Sequence, residues 1–582
     1  MLGNKHINLI VIVLTIVALV FTTVFIISPE SLSIMPYSYE EVDYTHNLFN
    51  KEKVTEMNIS MEEEDWNWII ENALEEEYRK ADITINGETF YNVGIRPKGN
   101  SSLRTVAEDD STDRFSFKIK FDKYIKGQNY YGLDKLVVNN MMSDATYMKE
   151  YLSYDLFQKM GIATPLYSFT NISINDEPWG LYLMVEATEE EFLERNFGSN
   201  YGNLYKPQNT GSDLKWVDGK SKNYQGIKDN AITKITDKDF DKVIKMIENL
   251  NNGTNLEEYL DIEEILCYFA VNTLLVNLDS YVGNFHHNYL LYEKDGIFSI
   301  LPWDLNMSFA GFQTRGGQQA VDFSIDTPYN GNAEDFPLIS KLLEVPEYKE
   351  IYYNYLEEIV QLYFDSGLFK VTVDKLDNLI NEYVKNDATA FYTYEEYTAS
   401  LPVLKEFGKL RAKSVMVQLA GETGVGTVDL DLTALGSMGG PGGGGKPPNN
   451  RKAEEMRGLN SPNDREGGFK ERNMGQMMNP ENMGEVMGIM EEAKGGELTN
   501  SQITRLKELG LDEEAIENFK NRPMNMEPGD RGRGGAFPGG DMGRAENRMD
   551  LIIVGICTLV MMVAILWVFK FKRRRYQKGS IK

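Results

Sequence analysis

The chain has 582 residues and a formal net charge of −28, from 88 acidic and 60 basic side chains. Hydrophobic residues make up 42% of it and aromatic residues 11%, which is enough apolar material for a large core and excludes a wholly disordered chain. So acidic a chain repels phosphate backbones, which argues against nucleic acid as a partner.

The first predicted element is the uncharged stretch Ile7–Ile27, which is long enough to cross a bilayer as one helix. Lys5 precedes it, and no small-x-small cleavage site closes it. We therefore predict an uncleaved signal anchor at 7–27, with residues 1–6 in the cytoplasm. A cleaved signal peptide is the alternative.

Residues 45–420 have the composition of a folded domain, with strand-like runs in the first part and long helical patterns in the second. The expected strands are Val54–Met61, Ala81–Ile85, Thr89–Arg96, Phe115–Phe121 and Leu136–Asn139, and the expected helices include Glu63–Ala73, Ile262–Leu278 and Ile351–Leu362. This order predicts an α+β fold made of two lobes.

The segment Asn277–Gly311 carries the strongest signal of chemistry. Asp279 follows an apolar helix, two strand-like runs then form a hairpin, and Asp304 comes directly after the hairpin. Phosphoryl transfer uses such a pair, because one carboxylate accepts the proton of the attacking hydroxyl while another holds Mg²⁺ against the triphosphate. An asparagine of the loop would complete the metal site. Asn284 has the spacing of a protein kinase, and Asn288 directly precedes the strand, so both remain candidates.

After Gly421 the composition changes to Gly, Met, Asn, Arg and Glu. Such a stretch buries too little apolar surface to offset its ordering entropy. We predict a disordered stalk at 421–550, within which residues 499–521 fit a helical hairpin.

The second hydrophobic stretch, Leu551–Phe569, is followed by a basic cluster of five residues between 570 and 575. Basic clusters flank membrane helices on the cytoplasmic side. We therefore predict a second transmembrane helix at 551–569 and a cytoplasmic tail at 570–582. Both termini are expected in the cytoplasm, with the folded domain on the outer side of the cell membrane.

Seven motifs, in order, resemble the CotH family of atypical kinases, which is named for a spore coat protein kinase. They are GIRPKGNSS (94–102), FSFKIKF (115–121), MKEYLSYDLFQKMG (148–161), NDEPWGLYLMVE (175–186), GNLYKP (202–207), NLDSYVGNFHHNYLLY (277–292) and LPWDLNMSFAG (301–311). The resemblance covers roughly residues 50–420. It implies a two-lobed, kinase-like domain that uses ATP and Mg²⁺ or Mn²⁺ to phosphorylate Ser or Thr of cell-surface or coat proteins.

The resemblance also implies a nucleotide site. Its members would be Arg96, Lys98, Gly99, Asn100, Ser101, Ser102, Lys118, Lys120, Glu150, Glu186 and Lys206. The segment from Gly99 to Ser102 would cover the phosphates. Lys120, or Lys118 on the same strand face, would pair with the α- and β-phosphates and be held by Glu150. Glu186 would lie near the adenine.

By the same resemblance, Asp279 would be the catalytic base, and Asp304 would hold the metal with Asn284 or Asn288. The sequence departs from the family ending Trp-Asp-x-Asp, because Asn306 stands where the second Asp is usual. It departs from ordinary protein kinases in having a single glycine in the phosphate loop.

Two other functions remain open. The first is a non-catalytic surface module for binding or adhesion, which the scarcity of ATP outside the cell favours. The second is a metallohydrolase that uses His286 and His287 with an aspartate. Adjacent side chains of a strand diverge to opposite faces, which makes joint ligation by the two histidines awkward.

Overall fold

Seven strands in the first part of the domain close into a barrel. The computed structural model describes residues 43–314 and 316–436 and the single positions 503, 505 and 507, and residues 43–436 belong to one compact unit. The barrel strands are β1 (Thr55–Ser60), β2 (Arg79–Ile85), β3 (Glu88–Lys98), β4 (Ser116–Lys120), β5 (Lys135–Asn139), β6 (Tyr167–Ile174) and β7 (Glu177–Glu186). Their order is β1-β2-β3-β4-β5-β7-β6, and every pair is antiparallel except β1 with β6, which are parallel and close the barrel.

Of five helices in this part of the chain, three lie between barrel strands, one precedes β1 and one follows β7, and the rest of the domain is mainly helical. The five are α1 (Asp43–Leu48), α2 (Glu63–Glu71), α3 (Ser101–Ala107), α4 (Lys149–Lys159) and α5 (Glu190–Phe197). Those that follow are α6 (Gln225–Lys228), α7 (Asp237–Asn252), α8 (Leu256–Tyr259), α9 (Ile262–Leu274), α10 (Gly317–Val321), α11 (Pro337–Leu343), α12 (Pro346–Ile359), α13 (Leu368–Lys385) and α14 (Tyr394–Leu419). A second sheet has the order β10-β9-β8 and consists of β8 (Asn203–Tyr205), β9 (Tyr289–Lys294) and β10 (Ile297–Pro302).

Local sequence explains why individual elements form. In β1, Thr55, Met57 and Ile59 are buried, whereas Glu56 is exposed and Asn58 is half-buried, which is the period of two expected for a strand with one face in a core. Helix α7 begins at a capping box between Thr236 and Asp239, in which each side chain bonds the other's backbone N–H. Helix α9 is buried at every residue from Ile265 to Leu274, which matches the mainly apolar run that follows its first turn.

Helix α4 contacts both the barrel and the helical part of the domain. One core fills the barrel and includes Ile83 and Phe117, and the other fills the helical part. Leu152 and Leu156 of α4 belong to the second core, and α4 contacts both β6 and α9. Every residue from Lys149 to Phe157 is buried, so the polar residues of α4 must find partners inside the protein.

The predicted fold class, a two-lobed kinase-like domain flanked by two transmembrane helices, is wrong. The strand-rich part is a closed seven-stranded barrel, since β1 pairs with β2 on one side and with β6 on the other. Alternation of apolar residues predicts where strands lie, but it carries no information about which strands pair across a hundred residues. The closure by β6 was therefore not visible in the sequence.

Within the part of the chain that the structure describes, no helix is both long and apolar enough to cross a membrane. The predicted transmembrane segments 7–27 and 551–569 lie outside the described residues, as does the stalk from residue 437 onward apart from the three single positions. Residues 421–436, assigned to the stalk, are described. They include a 3-10 helix, Leu432–Leu435, whose last residue is buried.

Candidate active site

A cavity lies between strands β5 and β7, helix α4 and the segment that follows β10. Its lining residues are Lys98, Val137, Asn139, Glu150, Tyr154, Val185, Glu186, Trp303 and Asp304. The volume open to the centre of a water molecule is about 10 Å³, close to what a single water requires. The enclosed part of this cavity therefore holds about one water molecule.

A chain of three polar side chains crosses the cavity. The ammonium group of Lys98, the last residue of β3, donates to Oδ1 of Asn139 over 2.9 Å. The Nδ2 of Asn139 donates to both carboxylate oxygens of Glu150, over 3.1 and 2.9 Å. The amide thus connects a cation to an anion, with its oxygen towards the cation and its nitrogen towards the anion.

Glu150 occupies the first turn of α4 and is only 4% exposed. Burial and the charge of Asp304 raise the pKa of Glu150 to about 7, against the opposing effects of Lys98, Asn139 and Tyr154. The Tyr154 hydroxyl, one helical turn further along α4, lies close to Glu150 and to the backbone of Asp304. Glu150 is therefore a carboxylate whose charge is incompletely compensated in this structure.

A second lysine contributes positive charge to the same region. Lys206 directly follows β8, and its ammonium group lies 4.7 Å from the ring centre of Trp303, a distance at which a cation and an aromatic face attract each other. Burial and the charges of Lys98 and Lys118 lower the pKa of Lys206, while Asp304 opposes the shift. The lysine charges are close enough to disfavour each other, which is typical of a site that takes an anion.

Asp304 lies two residues beyond the end of β10, with a left-handed backbone (φ 54°) that aspartate tolerates better than most residues. The segment after it is bonded to the two residues that directly follow α9, since Phe309 N donates to Leu275 O and Ala310 N to Val276 O. Val276 is buried and also left-handed (φ 49°). A β-branched residue adopts this conformation only when its surroundings hold it there, and such strain clusters at functional sites.

The Asp279 carboxylate is held at both oxygens. His287 Nε2 lies 2.7 Å from Oδ1, and Asn288 Nδ2 donates to Oδ2 over 3.0 Å. The backbone N–H of Asp279 donates to Oδ1 of Asn277. A carboxylate has about four lone-pair positions, so two remain free to accept a proton or a donor from a ligand.

The two adjacent histidines diverge, although they lie in a loop that precedes β9. His287 turns to Asp279, whereas His286 Nε2 lies 3.0 Å from the backbone oxygen of Asp335 and its ring lies against Phe336. Burial lowers the pKa of His286. The described residues contain no cluster of three or more His, Cys, Asp or Glu side chains that could hold a metal ion together.

Comparison with known proteins gives the family. A family model described as "CotH kinase protein" matches residues 95–415, more than half of the chain. The chain belongs to the CotH family.

Curated relatives of this CotH-family chain are distant. It is 21% identical over 299 residues to "Inner spore coat protein H" of Bacillus subtilis (strain 168), covering 50% of this chain and 80% of that protein. It is 24% identical over 264 residues to "Invasin CotH7" of Rhizopus delemar, covering 43% of each chain. With "Spore coat protein homolog 1" of the same organism it shares 21% identity over 359 residues, or 58% of this chain and 56% of the relative.

One solved structure with similarity is a chain of the Shewanella oneidensis MR-1 toxin–antitoxin complex of HipA, HipB and operator DNA. The TM-score is 0.26 and the sequence identity 12%, over 53% of this CotH-family chain and 59% of that chain. A score this low carries no argument about fold or function.

The lysines expected to pair with Glu150 lie elsewhere. Lys118 is bonded to Glu189 over 2.5 Å, and Lys120 lies 3.4 Å from Asp122. The lysine connected to Glu150, through an amide, is instead Lys98. Lys118 still influences the site, since its charge acts on Lys206.

The segment expected to cover the phosphates is the start of a short helix. Gly99 has a φ of 131°, Asn100 occupies the N-cap position of α3, and Ser101 and Ser102 form its first turn. A Cβ atom at Gly99 would lie 2.9 Å from the Ser102 hydroxyl, so the backbone here leaves little room for a side chain. Arg96, three residues earlier on β3, is paired with Glu76.

Glu186 lines the cavity, but its carboxylate is already fully engaged. Tyr44 donates to it over 2.6 Å, Arg195 pairs with it over 2.5 Å, and the backbone N–H of Leu166 donates to it over 3.0 Å. Its side chain is fully buried. Of the two candidate asparagines, Asn288 contacts Asp279, and Asn284 is exposed in the loop.

Sequence reasoning missed Asn139 and Tyr154. Tyr154 could have been found, because it lies four residues after Glu150 and therefore on the same face of a helix. Asn139 carries no local signal, since an asparagine at the end of a strand is ordinary. Its role depends on Lys98 and Glu150 arriving from other elements.

The residues present fit the phosphates of a nucleotide and one divalent cation. Lys98 and Lys206 carry charges that disfavour each other, which suits the binding of an anion. Mg²⁺ is commonly held by one or two carboxylates together with phosphate oxygens and water, rather than by a cage of protein ligands. Asp304 supplies a carboxylate of this kind beside the lysines.

Proposed function

We propose that this CotH-family chain is a protein kinase that transfers the γ-phosphate of ATP to Ser or Thr of cell-surface or coat proteins. The observation that carries the proposal is the shared cavity of Lys98, Glu150 and Asp304, next to Lys206. The backbone bonds between the segments after Asp304 and before Asp279 support a common site for both aspartates. A lysine–glutamate connection, a metal-binding aspartate and a catalytic aspartate are the parts that phosphoryl transfer requires.

In this proposal Asp279 is the base. Its two free lone-pair positions would accept the hydroxyl proton of the acceptor, while His287 and Asn288 keep the carboxylate in one orientation. As the proton passes to Asp279, the hydroxyl oxygen bonds to the γ-phosphorus, and the bond from that phosphorus to the β,γ-bridging oxygen breaks to release ADP. Lys98 and Lys206 would bind the phosphates and offset their charge.

A bound Mg²⁺ or Mn²⁺ would supply further neutralisation of phosphate charge, and Asp304 would hold it with Asn288 as the favoured amide ligand. The other candidate, Asn284, is exposed and comes from the same loop. Ligation by the side-chain oxygen of Asn288 is compatible with the bond that its nitrogen makes to Asp279.

The test is transfer of labelled phosphate from ATP by the full chain to a Ser-rich protein acceptor, with Mg²⁺ or Mn²⁺. Asp279→Asn and Asp304→Asn are each expected to lower the rate at least about 100-fold. Asp295→Asn is the matched control, because Asp295 lies in the exposed hairpin turn between β9 and β10. Transfer that persists in Asp279→Asn would remove the base from the proposal.

A second candidate, a non-catalytic binding or adhesion module, is favoured by the tightness of the cavity and by the name of the relative "Invasin CotH7". The two candidates differ in what they expect of ATP. A kinase binds nucleotide and transfers phosphate, whereas a binding module that takes no nucleotide shows no nucleotide-induced rise in its thermal unfolding temperature.

The location is also part of the proposal. The hydropathy pattern predicts that the chain is attached to the membrane with residues 43–436 outside the cytoplasm, and two relatives named for the spore coat support a location at the cell surface. Labelling of exposed lysines in intact cells with an amine reagent that cannot cross membranes tests it. Protection of those lysines until the cells are lysed would contradict it.

A further inference from the structure

Asn139 connects Lys98 to Glu150 from a position where its backbone is fixed on both sides. It is the last residue of β5 and pairs with Leu183 of β7 in the barrel ladder. The next backbone N–H, that of Asn140, donates to the hydroxyl of Ser116 over 3.0 Å. The amide of Asn139 therefore projects into the cavity from a rigid support.

Electrostatics determines the orientation of this amide. Its oxygen accepts from the ammonium group of Lys98, and its two-proton nitrogen spans both oxygens of Glu150. The opposite orientation would direct N–H groups at a cation and an oxygen at an anion, which both charges oppose. The residue thus fixes the lysine and the glutamate relative to each other.

The inserted amide also changes the charge that a ligand meets. A direct ion pair would bring the two charges together and neutralise most of the field of the lysine. With an amide between them, the field of Lys98 still reaches Lys206 and lowers its pKa. Glu150 lies close enough to Asp304 for the aspartate charge to raise the pKa of Glu150. The positive field in the cavity is therefore stronger than a direct pair would leave.

We propose that Asn139 is a positioning residue for phosphate binding, which holds Lys98 in place without neutralising it. The inference rests on the proposed phosphoryl transfer for its ligand, but it makes a statement about Lys98 that holds in the nucleotide-free protein. Asn139 does not itself touch the reacting atoms in this account, because its two polar groups are engaged by Lys98 and Glu150.

The experiment compares Asn139→Leu, Asn139→Asp and the control Asn171→Leu in the full chain. Leucine removes both bonds. Aspartate keeps an acceptor for Lys98, but it cannot donate to Glu150 and adds a negative charge. Asn171 on β6 is a chemical match outside the cavity, since its Nδ2 donates to the carboxylate of Glu56 over 2.9 Å.

The first readout is the dissociation constant of ATP with Mg²⁺, measured by calorimetry, together with KM and kcat. We expect both Asn139 variants to bind ATP at least about tenfold more weakly, because the loss of one charge-assisted hydrogen bond changes a dissociation constant by about this factor. The control should be unchanged. In a double-mutant cycle, adding Asn139→Leu to Lys98→Met should cost almost nothing further, because Asn139 acts through Lys98. Additive losses would indicate a general structural role and overturn the inference.

The second readout needs no nucleotide. The nucleotide-free protein is treated with acetic anhydride. The rate of acetylation of Lys98 is measured by mass spectrometry and divided by the rate for Lys120. We expect the rate at Lys98 to rise several-fold in Asn139→Leu, whose Lys98 has lost its acceptor, and to stay unchanged in Asn171→Leu.

The two readouts separate the inference from the proposed function. If the unsubstituted chain neither binds ATP nor transfers phosphate, the proposed function fails, and the acetylation rate alone decides the role of Asn139. An unchanged rate in Asn139→Leu overturns the inference in either case. If the leucine variant fails to fold, Asn139→Asp, which is nearly the same size as asparagine, takes its place. Its acetylation rate at Lys98 is then expected to fall, because the aspartate pairs directly with the ammonium group, and an unchanged rate overturns the inference.

Discussion

Two buried groups of charges in this domain differ in how completely they are compensated. Arg114 and Asp387 have side chains that are 0% exposed and lie 2.8 Å apart, and Arg114 also bonds Thr389 and the backbone oxygens of Asn140 and Leu181. Burial opposes the charge of this arginine, but Asp387 more than offsets it and raises the pKa of Arg114. Each side-chain nitrogen of Arg114 and each carboxylate oxygen of Asp387 has a hydrogen-bond partner.

The cavity is the opposite case. Burial and Asp304 raise the pKa of Glu150 to about 7, and burial and neighbouring lysines lower the pKa of Lys206. The Arg114 pair joins the barrel to the residues after α13 and is a structural contact. The charges of the cavity carry an electrostatic cost that a ligand of suitable charge would relieve, which is why perturbed groups of this kind mark functional sites.

Breaking the compensated pair should have the largest effect. We expect Asp387→Ala to lower the free energy of unfolding by about 3 to 5 kcal/mol, because it leaves a buried arginine without its counter-charge. Denaturant unfolding measures this. Glu344→Ala, which removes the partner of Lys341 in an exposed pair, should leave the midpoint unchanged. Equal effects of the two substitutions would remove the distinction between buried and surface charges here.

Neutralising Glu150 should raise the free energy of unfolding rather than lower it, and the size of the effect should depend on pH. Because its pKa is higher in the folded state than the usual 4.5, the folded state holds the proton more tightly. The resulting stability is fully present below about pH 4.5 and is lost as the pH rises through about 7. We expect Glu150→Gln to match the unsubstituted chain at pH 4.5 and to be more stable at pH 8, by up to about 3 kcal/mol.

The control for Glu150→Gln is Glu189→Gln. Burial raises the pKa of Glu189, but Lys118 and Lys135 outweigh this and lower it. This carboxylate therefore stabilises the folded state at neutral pH and loses that effect as the pH falls, so Glu189→Gln should be less stable than the unsubstituted chain at pH 8. Urea unfolding of the nucleotide-free protein at both pH values measures the two variants. The comparison would fail if both substitutions shifted stability in the same direction.

The smallest effect on stability is expected from Lys206→Met. The electrostatic cost of the Lys206 charge opposes the attraction between its ammonium group and Trp303, so we expect the free energy of unfolding to change by less than about 1 kcal/mol. The variant should nevertheless bind ATP about tenfold more weakly, because it removes one of the two cavity cations. Thermal unfolding with and without ATP gives both numbers. A large loss of stability with unchanged affinity would make Lys206 a structural residue.

The sequence predicted the surroundings of Asp279 better than those of Glu150. Asp279, His287 and Asn288 lie within ten residues, so the spacing within one loop was enough to place them together. The individual elements were also predictable, since β5 (Lys135–Asn139) was expected at Leu136–Asn139 and α9 was expected to begin at Ile262. These features depend on local pattern.

Lys98, the lysine that lines the cavity, was harder to predict. Strand β3 was expected to end at Arg96, whereas it continues to Lys98, and this extension places Lys98 on the barrel rather than in a loop. Lys118 has the residue type and the strand position of a phosphate-binding lysine, but Glu189, from the start of another element, holds it. Competition between partners distant in sequence depends on barrel closure, which alternation of apolar residues does not encode.

The parallel contact between β1 and β6 has a consequence for synthesis. Thr55 pairs with Thr170, 115 residues later in the chain. At roughly 5 to 20 residues per second, a ribosome needs about 6 to 23 seconds to make the intervening residues. Until β6 has been made, β1 has an open hydrogen-bonding edge, which is a template for aggregation. The nascent barrel therefore depends on slow, long-range closure, and the strand that completes it is made before any of the helical part.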